Sequence, residues 1–316
     1  PTVERSSIKL DLHRRDFTIN TLALRLDGHH YGELYDYWGG LQDIEKKLVR
    51  VLHSLSFVDD PTRLLRAVRF EQRFQFEIEK RTLQLMSQAR ELLHQLSGER
   101  IHHEFDLIFN EKEPLPILSR LEGLGLLNEI HPGFNWKPEY EDGFTESINY
   151  AQYTDWNLPD SVANTPMRQS LIYLAWFASL EGSTGLEVGL RLRLSRQLLE
   201  TLEKVISLAQ EADTLSTLPP SKLTVILEKV PLYGVFSLFS LTRNPQLREK
   251  LNSYAVKWRF IAPGIDGNTL RERGVPPGPE YTRILSLIRS AWLDGKVNTP
   301  AAEENLLSKL LKGCDG

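Results

Sequence analysis

The chain has one cysteine, Cys314, so it can form no internal disulfide and cannot build a metal site from thiolates, which fits a reducing compartment. It has no long apolar run either. The most continuous, Leu171 to Leu180, is too short to span a bilayer, and no charged-then-apolar leader opens the chain. A net charge of -4 excludes a uniformly basic nucleic-acid binder, so any site for RNA or nucleotide must be a local basic patch. There is no fixed-period repeat and no low-complexity tract. An initiator methionine is also missing. Pro1 opens the chain, and we expect a piece of a longer protein. With 41% apolar and 25% charged residues, what remains is an ordinary soluble globular protein, expected in the cytoplasm and with no membrane partner. At 316 residues, two or three units are the natural expectation.

The stretch Asp59 to Phe70 organises the rest. Pro61 suits the first turn of a helix, and Asp59 or Asp60 just before it suits a cap. On such a helix Arg63, Arg66 and Arg69 recur every third residue and Arg73 follows, so their guanidinium groups share one side while Leu64, Leu65, Val68 and Phe70 cover the core side. No acid interleaves with the arginines until Glu71. A stripe of one sign suggests either an anionic partner or a solvated basic face.

Along the chain, Thr21 to Leu26 and Gly32 to Trp38 read as a hairpin around Asp27-Gly28, Leu41 to Leu48 as a short helix, and Val49 to Leu52 as a returning strand. From Asp60 on, strand patterns nearly vanish. The spacing predicts helices at Pro61 to Phe74, Lys80 to Leu93, Glu99 to Asn110 and Pro116 to Leu124, then an irregular connection between His131 and Pro166. Further helices are predicted at Met167 to Leu180, Leu186 to Leu208, Ser221 to Lys229, Val235 to Leu241, Pro245 to Trp258 and Tyr281 to Leu293.

Three motifs could carry chemistry. Arg14-Arg15-Asp16-Phe17-Thr18-Ile19-Asn20 sets two guanidinium groups, able to grip phosphate, beside a carboxylate and an amide, able to bond a ribose hydroxyl; a surface salt bridge reads the same residues more plainly. Asp60 with Arg63 presents an acceptor beside a donor. That order matches the Watson–Crick edges of adenine and cytosine and opposes those of uracil and guanine, unless backbone N–H groups occupy Asp60 as a cap. Ser97-Gly-Glu-Arg-Ile-His-His-Glu opens a helix on which Arg100 could buttress the arginine helix or reach a ligand. His102 and His103 point in different directions there, and His103 with Asp106 supplies only two ligands, so we read the histidines as structural or surface groups.

In this order the motifs resemble the class II, bacterial-type tRNA nucleotidyltransferases and the related bacterial poly(A) polymerases. Arg14 to Asn20 is similar to the family's RRDFTxN motif, Asp36 through Gly39-Gly40 and Asp43 to its D-x-x-G-G-x-x-D segment, Asp59 to Arg63 to its ED-x-x-R element, and Glu99-Arg100-Ile101 to its E-R-I segment. The resemblance implies phosphate contact through Arg15 and ribose recognition near Asp16, with Asn20 close by. It also implies base selection by Asp60 and Arg63, triphosphate contact by Arg66 and Arg69, and support from Arg14 and Arg100. Asp59 stands where the family usually has Glu. The family's catalytic Asp-x-Asp pair and its Gly-Gly-x-x-Arg-Asp segment precede RRDFTxN, and this sequence begins after them.

The expected fold is therefore mainly α. It comprises the remnant of an α/β nucleotidyltransferase head (1–55), then an elongated all-helical neck (56–112), body (113–210) and tRNA-binding tail (211–316). The expected activity is tRNA 3′-end maturation by template-independent nucleotidyl transfer from ATP, with CTP a further candidate, in an A-adding or CCA-adding enzyme. Mg²⁺ would be bound by residues outside this chain, leaving the chain inactive by itself. Expected partners are a tRNA or other RNA 3′ end and a nucleoside triphosphate; oligomeric state is left open. A poly(A) polymerase and a noncatalytic helical RNA-binding module are the alternatives.

Overall fold

The computed structural model describes residues 7–312; Cys314 lies outside them. The chain forms two compact units. One takes the residues up to Glu141 and recovers Leu180–Ser195; the other takes Asp142–Ser179 and the residues from Arg196 on. Both are mainly helical, as expected, and the strands among the described residues are two-residue pairs.

In the first unit the predicted hairpin is present, with Ala23 opposite Tyr35 and Leu24 opposite Leu34. The strand after it, Leu48–Val49, pairs in parallel with Glu77–Ile78, a partner so short that no periodicity betrays it. Between those strands lies the arginine helix, Arg63–Phe74. Its predicted core side is buried: Leu64, Leu65 and Val68 have no exposure, and Phe70 packs edge-on against the fully buried Phe17; Ala67, not foreseen there, is buried as well. Asp59 does not cap this helix; it closes a separate short helix, Ser56–Asp59. Pro61 and Thr62 make the turn before the first helical residue, Arg63, and Gln75 ends the helix in a left-handed conformation, φ 54°.

Helix Gly98–Phe109 buries Ile101, Phe105 and Ile108. A Cβ on Gly98 would lie 2.1 Å from the carbonyl oxygen of Arg191, so only glycine permits this approach. The guanidinium of Arg191 also donates to the carbonyls of Leu93, His94 and Leu96, tying the recovered segment into the unit. The single helix predicted over Leu186 to Leu208 is two, Thr184–Arg191 and Arg196–Gln210, interrupted where Arg193 turns left-handed at φ 58°.

The apolar run that was too short for a membrane is the centre of the second unit. Helix Met167–Ala178 is buried nearly all round and packs against helices Arg196–Gln210 and Leu232–Leu241, whose Leu198, Leu202, Val205, Val235, Phe236 and Leu238 are themselves buried. No single helix among the described residues is long and apolar enough to cross a membrane. A helix not foreseen in the sequence, Pro300–Lys312, places Leu307 in a small core with Ile265, Leu270, Ile284 and Ile288.

Candidate functional site

Seven of the nine singled-out residues meet in one cleft. Arg14, Arg15, Asp16, Asn20, Asp60, Arg63 and Arg66 line a volume of about 370 Å³ in the first unit. Four arginines face two aspartates, a formal surplus of two positive charges in a chain whose net charge is negative.

The segment Arg14 to Asn20 is held by its apolar and small residues. Phe17 bridges Val51, the Thr18 amide donates to the Arg50 carbonyl at 2.9 Å, and the Thr18 hydroxyl donates to Asp43 at 2.6 Å. With Phe17 anchored inside, the polar residues around it are fixed beside the arginine helix. Arg14 and Arg15 are exposed and, among the described residues, their side chains pair with Asp11, at 2.5 and 3.1 Å, contacts of a kind that contribute little and release readily.

Asp60 is partly engaged. The Thr62 amide at 3.0 Å, the Thr62 hydroxyl at 2.7 Å and an Arg100 N–H at 2.6 Å all donate to its Oδ1. Burial works against its charge, but the Thr62 bonds and the Arg100 charge prevail and hold its carboxyl below the usual value. The local turn therefore occupies one oxygen, and Oδ2 takes part in none of these three bonds. Arg63 is fixed too: Nη1 donates to the Ser56 carbonyl and hydroxyl at 3.2 and 2.6 Å, and Nη2 to the Arg14 carbonyl at 2.9 Å. A guanidinium carries five N–H groups, so donors remain.

Arg66 donates from Nε and Nη2 to Asp16 Oδ2, at 2.9 and 2.5 Å, and its Nη1 lies 3.5 Å from Glu104. Burial opposes its charge; the Asp16 bond and the charges of Asp16 and Glu104 outweigh it and raise its pKa. Arg69 is placed differently. Its side chain is only 7% exposed, paired with Glu111 at 3.2 Å and Glu104 at 3.8 Å, and it does not line the cleft. Its geometry is that of a buried structural ion pair, not of a group reaching phosphate. Arg73 likewise pairs with Glu111 at 3.6 Å, and Arg120 grips Glu71 through two bonds. Beyond Arg66, the arginine stripe meets carboxylates carried by other segments.

Sequence reasoning gave no role to Ser56, Thr62, Glu104 or Glu111, though Thr62 and Glu104 stand inside motifs it singled out. Only Glu104 left a signal, since it follows Arg100 by four residues on the same helix. For the histidines, His102 lies 3.6 Å from Asp106, and among the described residues no three His, Cys, Asp or Glu side chains gather to hold a metal ion.

The chain is similar to known proteins in sequence and in fold. The poly A polymerase head domain matches residues 1–50, and the probable RNA and SrmB-binding site of polymerase A matches residues 75–137. An A-adding tRNA nucleotidyltransferase of Geobacter sulfurreducens is 35% identical over 98% of this chain, which spans 36% of that relative's length. One of Halalkalibacterium halodurans is 29% identical over 94% of the chain and 67% of the relative. Among solved structures, a Thermotoga maritima CCA-adding enzyme complexed with tRNA superposes with a TM-score of 0.77 at 29% identity, covering 98% of this chain and 75% of that one. A CCA-adding enzyme in complex with ATP gives 0.78 at 30% identity, over 97% and 73%.

Proposed function

Because this chain belongs to the bacterial-type tRNA nucleotidyltransferase and poly(A) polymerase family, we propose that it selects the nucleotide in an enzyme adding residues to the 3′ end of tRNA without a nucleic-acid template. One observation carries the reading: Asp60, with Oδ1 filled and Oδ2 outside that set, stands beside an anchored Arg63 in a basic cleft. An incoming adenine offers an N6 donor to the carboxylate and its N1 acceptor to the guanidinium, and cytosine offers N4 and N3 in the same order. Uracil and guanine set acceptor against acceptor and donor against donor. One bidentate contact of this kind is worth about 1–3 kcal/mol of discrimination. Arg66 and the exposed Arg15 supply cations for the triphosphate.

ATP is the primary substrate on this reading, and the A-adding relatives favour terminal A addition over poly(A) synthesis. The head end spans 1–55, the neck 56–112, the body 113–210 and the tail 211–316, with body and tail gripping tRNA by shape and phosphates in the cytoplasm. Mg²⁺ chemistry falls to carboxylates outside the described residues, and no metal step is assigned to this chain.

The test is nucleotide preference. In the intact protein, Asp60→Ala and Arg63→Ala should each erase a roughly tenfold or greater preference for ATP and CTP over UTP and GTP. An unchanged preference in both variants contradicts the reading.

A further inference from the structure

Among the described residues, Phe260 is the only aromatic side chain of the second unit that stands exposed, at 61%. An apolar ring alone on a surface needs no explanation, but this one is held in place. It closes the short turn Trp258–Phe260, which follows helix Pro245–Val256. Two guanidinium groups fix the backbone on either side. Arg259 donates from Nε to the Ala255 carbonyl at 2.7 Å and from Nη2 to the Trp156 carbonyl at 3.3 Å, and Arg289 donates from Nε to the Ile261 carbonyl at 3.1 Å. The ring thus stands out from a backbone that is tied down before and after it.

The charges around the ring are one-sided. The Arg259 guanidinium lies 4.4 Å from the ring centroid, a cation–π contact that leaves much of the ring to solvent. Its two bonds go to carbonyls, and neither Arg259 nor Lys257 pairs with a carboxylate among the described residues. Arg289 is paired with Glu228 at 2.6 Å. These groups share one neighbourhood at Tyr254: burial pushes its phenol up, Glu228 adds to the shift, and Arg259 and Arg289 oppose it. Three cations therefore stand against one carboxylate beside an exposed aromatic ring, in a chain whose net charge is negative. A protein partner of ordinary apolar surface would cover Phe260 and leave Lys257 and Arg259 unneutralised. A nucleotide of RNA brings a flat base and a phosphate together, and answers both.

We propose that Phe260 is a stacking surface for an exposed nucleobase of bound tRNA, with Arg259 bracing the ring and Lys257 and Arg259 meeting the adjoining phosphate. Arg259 has the capacity, since three of its five N–H groups lie outside its two carbonyl bonds. The proposal rests on this chain binding tRNA, and it adds the face of a base to a grip by shape and phosphates. Every base has such a face, so the contact carries no strong sequence preference.

Binding of tRNA ending in CC to the intact protein, measured over a range of KCl concentrations for wild type, Phe260→Ala, Phe260→Leu, Phe260→Tyr and Lys257→Gln, tests it. Phe260→Ala and Phe260→Leu should each weaken binding about tenfold with an unchanged salt dependence, because a stack is lost and no ion contact. Phe260→Tyr retains the ring and should bind within about twofold of wild type. Lys257→Gln should reduce the slope of log affinity against log salt by about one. Unchanged affinity in Phe260→Ala overturns the proposal, and so does wild-type affinity in Phe260→Leu, which would make the ring a plain apolar contact. A wild-type salt slope in Lys257→Gln overturns the phosphate contact. Thermal unfolding checks each variant; if Phe260→Ala is destabilised, Phe260→Leu against Phe260→Tyr decides alone. Wild-type protein that binds no tRNA overturns the tRNA reading itself, whereas wild-type binding with an indifferent Phe260→Ala overturns this inference only.

Discussion

Asp60 and Glu104 both touch arginines, yet their carboxyls shift in opposite directions. At Asp60, burial pulls upward but Thr62 and Arg100 prevail, and the pKa falls below its ordinary 3.8. At Glu104, burial is the largest influence and outweighs Arg66, Arg69 and His103, and the pKa rises above 4.5. Arg66 keeps its charge because its main partner is Asp16, not Glu104. The two acids therefore link to pH with opposite sign. Asp60 contributes stability above its unfolded value, and this is lost as pH falls through its depressed folded value. Glu104 gives its contribution below 4.5 and loses it as pH rises toward its raised folded value, because the unfolded chain ionises first. Comparing urea unfolding of wild type and Glu104→Gln between about pH 4 and pH 8 should show the wild-type advantage greatest at the acid end and shrinking as pH rises. An advantage that grows with pH contradicts this assignment. At this scale the sequence was informative wherever partners lie close in the chain: Asp60 and Arg63 are three residues apart, and Arg14 to Asn20 is one run. It was silent on Arg66 with Asp16, 50 residues apart, and on Arg69 with Glu111, 42 apart, because periodicity carries no record of partners so distant.

The arginine helix shows what a single element can conceal. Its apolar side was legible because Leu64, Leu65 and Val68 follow helical spacing, and all three are buried. Its charged side offered two readings, an anionic partner or open solvent. The structure divides it between a cleft at the Arg63 and Arg66 end and ion pairs with Glu104 and Glu111 further on. Helices were found from their periodicity, whereas their ends were set by contacts. Arg193 breaks one helix into two, and Gly98 starts another where a backbone carbonyl leaves no room for a side chain. Gly98→Ala should therefore cost about 1–3 kcal/mol through overpacking, measured as a lower denaturant midpoint. Alanine normally favours a helix over glycine by nearly 1 kcal/mol, so an unchanged or higher midpoint would show that the close approach to Arg191 does not constrain the fold.

For the whole molecule, the mainly helical class was readable from the loss of strand patterns after Asp60. The composition of the units was not. Leu180–Ser195 rejoins the first unit after an excursion of the chain, held by Arg191 to carbonyls nearly 100 residues earlier, and no local pattern encodes that return. Asp60 and Arg63, the exposed arginines and the Asp16–Arg66 tie all fall within the first unit, and the second packs its own core around Met167–Ala178. On the reading proposed, the cleft of the first unit decides which nucleotide is taken, and body and tail grip the tRNA. The most direct measurement is primer extension by the intact protein on tRNA ending in CC, on tRNA lacking CCA and on an unstructured RNA, with each nucleoside triphosphate supplied in turn. The account predicts that ATP extends tRNA ending in CC, that UTP and GTP do not, and that the unstructured RNA is a poor primer. Equal extension from all four nucleotides, or none on any tRNA, would contradict it.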